Sequence, residues 1–171
     1  MSSAAEPIAS KRSLIGLGIA LLICFGASFV GNAFTAPNLA WYATLEKPSF
    51  NPPNSVFPIV WTILFATMAV SAWLVWRAEA DEGDKKTALT WFGVQLGLNV
   101  AWPFAFFQMQ SPIFGLAVIL WLVVAIGMTM VFFDRVSRVA ALLLAPYLLW
   151  VCFASGLNFD VWALNANAAS S

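Results

Sequence analysis

The sequence predicts an all-α integral membrane protein, a bundle of five transmembrane helices. Charged residues make up 9% of the 171-residue chain and hydrophobic ones 61%. Soluble domains carry roughly a quarter charged residues, and a surface this poor in charge does not stay in water. The apolar residues fall into five stretches: residues 13–33, 54–77, 87–107, 112–133 and 139–162. Each suits the roughly 20 residues that cross a hydrocarbon core about 30 Å thick at about 1.5 Å per residue. Most of the polar segments between them are short, so successive helices run antiparallel.

The first stretch follows Lys11 and Arg12 and could imitate a secretory signal. A signal core is only about 7–15 apolar residues long. This stretch is longer and four of its kind follow, so it reads as a retained span. Residues 1–12 and 163–171 read as flexible tails. Ahead of the second and fourth spans, Pro53 and Pro112 suit helix starts, where a missing N–H costs little. Residues 78–86, AEADEGDKK, read as a polar turn.

The long connection is residues 34–53, FTAPNLAWYATLEKPSFNPP. Pro37, Pro48, Pro52 and Pro53 restrict its backbone. Asn38 is placed to cap a short helix with Trp41 and Leu45 on one face. Trp41 and Tyr42 have two readings: an ordered cover over the bundle, or aromatic anchors at headgroup depth.

Lysine and arginine orient the chain. Lys11, Arg12, Arg77, Lys85, Lys86, Arg135 and Arg138 fall at one end of the bundle and Lys47 at the other. Basic residues stay cytoplasmic during insertion. The expectation is a cytoplasmic N-terminus, with the C-terminus and the 34–53 loop outside.

The third span has two faces. Gly93, Gly97 and Ala101 recur every four residues, a small-residue strip that lets helix backbones approach in lipid. It serves either a second subunit, giving a homodimer, or a helix of the same chain. The spacing tilts the expectation toward the dimer. Gln95, Asn99, Trp102 and Phe106 lie opposite. The second span aligns Phe57, Trp61, Phe65, Met68 and Ala72, and the fifth aligns Tyr147, Trp150, Ala154 and Asn158. Amide and phenol groups need partners in lipid, so Asn99, Tyr147 and Asn158 are expected to face inward. These stripes can line an aromatic pocket with a few polar groups, the usual make-up of a site for a small apolar ligand. They can equally be packed core. Nine tryptophans in so short a chain favour the pocket.

Other chemistry finds little footing. No span carries an acid or base near its centre, as ion-coupled pumps usually need. There is no histidine, and Cys24 and Cys152 read as buried small hydrophobes without metal-ligand spacing. The zero net charge gives no reason to expect nucleic acid. The residues point to a membrane binding protein rather than an ordinary enzyme.

Three segments carry a resemblance. They are WYATLEKPSFNPPNSVFPIVWTILF (residues 41–65), LNVAWPFAFF (98–107) and APYLLWVCFASGLNF (145–159). Their proline-rich loop, Pro-x-x-Trp-Thr, Asn-x-x-Trp and Pro-Tyr-x-x-Trp resemble, in order and spacing, the translocator protein family, also called tryptophan-rich sensory proteins or peripheral-type benzodiazepine receptors. The resemblance implies a five-helix bundle, often homodimeric. Its pocket under the first loop would take porphyrins such as protoporphyrin IX and benzodiazepine-site ligands, with no cofactor required. By motif, the pocket residues would be Trp41, Tyr42, Trp61, Asn99, Trp102, Trp150 and Ala154, joined by Phe57, Phe65, Tyr147 and Asn158 from the aligned stripes. Trp61 and Trp150 match the pair implicated in light-dependent porphyrin breakdown. Phe65 replaces a common Tyr, and Phe50 stands where many relatives have Trp. Some members bind cholesterol, but the proposed sterol pattern needs a basic residue shortly after its Tyr. After Tyr147 the chain runs LLWVCFASGLNF, which argues against high-affinity cholesterol binding and for a bacterial-type member. The leading functional expectation is a tetrapyrrole-binding sensor or receptor. The alternatives are a porphyrin transporter and a light-dependent porphyrin-degrading protein.

Overall fold

The computed structural model describes residues 10–168. It is helical, and the first element is longer than the first apolar stretch. Helix α1 runs Lys11–Thr35. Ser10 caps it, the Oγ accepting from Ser13 N–H at 3.1 Å, so Lys11 and Arg12 are helical rather than tail. A 3₁₀ turn, Ala36–Asn38, leads into the short helix α2, Leu39–Thr44. Half of the expected loop is thus a continuation of the first helix. Asn38 precedes α2 without capping it. Its Nδ2 donates back to Phe34 O at 2.9 Å and across to Gln108 Oε1 at 3.4 Å.

Helix α3 runs Val56–Arg77 and α4 runs Glu82–Pro103. The start of α4 lies within the expected polar turn. Asp81 accepts from Gly83 N–H and Asp84 N–H at 2.8 and 3.2 Å, and Glu82 and Asp84 suit the positive end of the helix dipole. Pro103 brings no N–H for the helix ladder, and the chain passes there into a π-helical turn, Phe104–Gln108. The turn ends at Gln110, which has a left-handed φ of 50°. Its Nε2 donates to Asn38 Oδ1 at 3.3 Å.

Helix α5 runs Pro112–Val136 with its proline in the first turn, as expected. The last apolar stretch divides into α6, Arg138–Leu143, and α7, Ala145–Ala168. Ser137 caps α6, and the break at Leu144 follows from Pro146, whose ring cannot continue the preceding ladder. Helix α7 continues past Trp162 through residues expected to be tail. Residues 1–9 and 169–171 lie outside the described residues.

Around the bundle the order is α3, α1, α4, α5, α7, with α6 bridging α5 and α3. The core between them holds Met68, Val75, Leu122, Ile126, Phe133, Tyr147 and Val151. The outside is apolar, with Leu22, Phe29 and Leu149 each more than 70% exposed, as a lipid-facing surface requires. Helices α1, α3, α5 and the α6–α7 pair are long and apolar enough to cross a membrane. Helix α4 is the least apolar of the long helices: it opens on Glu82, Asp84, Lys85 and Lys86 and carries Gln95 and Asn99, which are buried. Cys24 is buried, but Cys152 faces outward. The chain is a multi-pass membrane bundle.

Candidate functional site

A cavity of about 390 Å³ opens in the half of the bundle that carries the loop. Six elements wall it. Helix α3 contributes Phe57, Trp61 and Phe65, helix α4 Asn99 and Trp102, the π turn Phe106 and Phe107, and helix α7 Ala154, Leu157 and Asn158. Helix α1 adds Asn32 and Thr35, and α2 adds Leu39 and Tyr42 from the loop side. Among the described residues the lining contains no Lys, Arg, Asp or Glu. Aromatic rings meet edge and face along the wall: Trp61 against Phe65 at 5.7 Å, and Trp102 stacked on Phe106 at 5.4 Å.

Two polar networks fix this wall. In the first, Asn99 Nδ2 donates to Tyr147 Oη at 2.8 Å, and Tyr147 O–H donates to Gln95 Oε1 at 2.9 Å. All three residues are buried, so the chain satisfies groups that lipid would leave bare. In the second, Trp102 Nε1–H donates to Asn158 Oδ1 at 3.0 Å, while Asn158 Nδ2 donates to Pro112 O at 2.7 Å. Asn158 therefore joins α4, α5 and α7 and sets the plane of the Trp102 indole. Gly115 makes room for this. A Cβ there would sit 2.9 Å from Phe106 and 3.0 Å from Asn158 Oδ1.

The cover is ordered. Trp41, Tyr42 and Leu45 pack on Phe106, Phe107 and Val161. Tyr42 O–H donates to Asn51 Oδ1 at 3.2 Å, and the Lys47 ammonium lies 4.6 Å from the Tyr42 ring centre. Asn165 on α7 clasps the backbone of Glu46 from both sides: Glu46 N–H donates to Asn165 Oδ1, and Asn165 Nδ2 donates to Glu46 O, each at 3.0 Å.

The structure places the sequence-derived candidates in three groups. Tyr42, Phe57, Trp61, Phe65, Asn99, Trp102, Ala154 and Asn158 line the cavity together. Tyr147 sits behind the wall, fully buried, holding Asn99 and touching Trp61 ring to ring at 6.3 Å. Trp41 and Trp150 lie outside the lining. Trp41 packs on Phe106 at 5.7 Å as part of the cover, and Trp150 stands edge-on to Phe57 at 5.8 Å. Gly93 and Gly97 are exposed, and among the described residues nothing lies where their Cβ would be, while Ala101 is half-buried. Sequence reasoning missed Asn32 and Thr35, although an amide in the last turns of an apolar run was a usable signal. It also missed Gly115, for which the sequence offers none.

Comparisons with known proteins agree with this architecture. Residues 20–163 match the model of the TspO/MBR family. The chain is 43% identical over 156 residues to the tryptophan-rich protein TspO of Chlorobaculum tepidum, covering 91% of this chain and 99% of that one. It is 35% identical to the tryptophan-rich sensory protein of Cereibacter sphaeroides, covering 88% of this chain and 92% of that one. It is 39% identical to the human translocator protein over 139 residues, 80% of this chain and 82% of the relative. A match that runs from the middle of α1 to the end of the apolar part of α7 takes in every wall of the cavity, and the chain belongs to the TspO/MBR family of membrane proteins.

Proposed function

We propose that the protein is a membrane receptor or sensor that binds tetrapyrroles of the protoporphyrin IX type, and benzodiazepine-site ligands, in the covered cavity. The observation that carries this reading is the cavity's lining: indole and phenyl rings on several sides, a few amides and hydroxyls, and, among the described residues, no charge. Flat aromatic ligands gain from such walls by offset and edge contacts worth about 0.5–1.5 kcal/mol per ring pair beyond area burial. Asn32, Thr35 and Asn54 supply polar atoms in the lining, which would fix a ligand's orientation. A tetrapyrrole's carboxylates would stay toward the mouth, because an unpaired carboxylate is expensive to bury.

The bias of Lys and Arg supports a cytoplasmic N-terminus, with the loop and cavity toward the opposite side. The exposed Gly93/Gly97 strip with Ala101 supports a homodimer through α4.

Titrating the purified protein with protoporphyrin IX while following tryptophan fluorescence tests the reading. Saturable quenching is expected. Trp61→Phe should weaken binding several-fold, and Ala154→Phe, which fills the cavity, by tenfold or more. Unaltered affinity in both variants would overturn the site.

A further inference from the structure

A second cleft, of about 760 Å³, lies at the opposite end of the bundle, between the start of α1, the end of α3 and the start of α4. Its character is different. Arg12, Arg77, Lys85 and Lys86 converge on it, against Glu79 and Glu82. Glu82 is taken up by Lys85, with Nζ at 2.9 Å. Among the described residues Arg12 and Lys86 form no ion pair, so the cleft keeps a positive surplus.

One wall of the cleft is built rather than incidental. The Trp76 ring lies flush on α1 at Gly16, where any Cβ would overlap it. The Arg12 guanidinium rests 5.9 Å from the centre of the same ring. Next to it, Trp73 Nε1–H donates to Ser13 O at 2.8 Å, and Arg77 lies over the Trp73 ring at 4.9 Å. Two indoles thus pin the α1–α3 seam and present two guanidinium groups at its end. Trp76 remains 38% exposed, the position of an indole at headgroup depth. Along α1, Ile15 and Ile19 follow Arg12 at helical spacing and are 63% and 52% exposed. A lipid-facing apolar track therefore leads directly up to the cationic cleft.

We propose that this cleft binds a phosphate-bearing anion, the headgroup of an anionic phospholipid. Arg12 and Lys86 would grip the phosphate, Trp76 would sit beside the glycerol, and the acyl chains would lie along Ile15 and Ile19. Basic clefts between membrane helices recognise such headgroups by charge, and guanidinium groups match phosphate oxygens in pairs. A diffuse positive-inside bias would not need the cations to share a cleft. The site is independent of the aromatic cavity.

Native mass spectrometry of the detergent-purified chain tests the assignment, using phosphatidylglycerol and phosphatidylcholine with the same acyl chains. Phosphatidylglycerol should be retained about tenfold better. Arg12→Ala/Lys86→Ala should lose most of that preference. Arg12→Lys/Lys86→Arg should keep it. So should Lys11→Ala/Arg138→Ala, which removes the same charge from the same end but outside the cleft. Displacement of the lipid by excess inorganic phosphate would show that the phosphate alone is read, and persistence would show that the acyl chains are needed too. Equal retention of the two lipids by the wild-type protein would overturn the proposal without relying on any variant. Equal loss in the cleft and control variants would reduce the effect to overall charge and also overturn it.

Discussion

At the scale of single residues, the cavity is shaped by side chains that do not touch its interior. Tyr147 is the clearest case. Replacing it by Phe leaves Asn99 Nδ2 without its acceptor and Gln95 Oε1 without its donor. Buried polar groups left bare cost about 1–3 kcal/mol, so Tyr147→Phe should lower the melting temperature in detergent by several degrees. An unchanged melt would mean the network carries no net stability. Gly115 is the second case. Gly115→Leu drives a side chain into Phe106 and Asn158 and should turn the Trp102 indole from its hydrogen bond. The expected readout is a shifted tryptophan emission maximum together with weakened ligand binding, while Gly127→Leu, at a glycine with open space beside it, should leave both unchanged. The two cases differ in legibility. An amide or phenol in an apolar helix announces that it faces inward, because lipid offers it no partner. Asn99, Tyr147 and Asn158 could be placed that way. A glycine carries no such mark, since its role depends on what the neighbouring helix brings against it.

At the scale of elements, hydropathy located the helices and local chemistry moved their ends. Apolar content says where lipid can surround a helix, but not where the backbone ladder stops. The ends come from local chemistry: Pro103 and Pro146 interrupt the ladder, and the Asp81 and Ser137 caps start the helices that follow them. The short helix expected around Trp41 is there as α2, but Asn38 precedes it without a side-chain cap and Leu45 lies just beyond its end. The cover it forms is tied at its start by Asn38 to Gln108 and Gln110, and beyond α2 by a polar clasp, Asn165 on both backbone groups of Glu46. Asn165→Ala should therefore raise amide exchange at Glu46 and speed ligand release, with little change in exchange along α3 and α5. If exchange at Glu46 is unaltered, the packing of Trp41 and Leu45 and the Asn38 bonds hold the cover without the clasp. For α4, the outward Gly93/Gly97 strip predicts that Gly97→Leu shifts the protein from dimer to monomer in mild detergent, read by light scattering. Persistence of the dimer would place the contact on another helix.

At the scale of the molecule, the bundle has two unlike ends. One is basic and carries the cationic cleft; the other is covered by α2 and the proline-rich loop and carries the aromatic cavity. The sequence showed this polarity through the placement of lysine and arginine, because insertion acts on charge that is local in the chain. It did not show which rings the six walling elements bring to one cavity. Trp61 and Trp102 line it, whereas Trp41 and Trp150 stand behind the lining, and stripe spacing cannot separate the two cases without the packing of neighbouring helices. Orientation is testable in a variant with Cys24 and Cys152 both changed to Ala. Ser49→Cys should react with an impermeant maleimide from outside, and Ser137→Cys only after the membrane is opened. The reverse pattern would invert the topology. Whether the covered cavity is the ligand site is decided by a structure of the protein with protoporphyrin IX bound. The macrocycle is expected between Trp61 and the Trp102–Phe106 stack, beneath Tyr42, with its carboxylates toward the mouth. Density for the macrocycle on the lipid-facing surface, with the cavity unfilled, would contradict this placement.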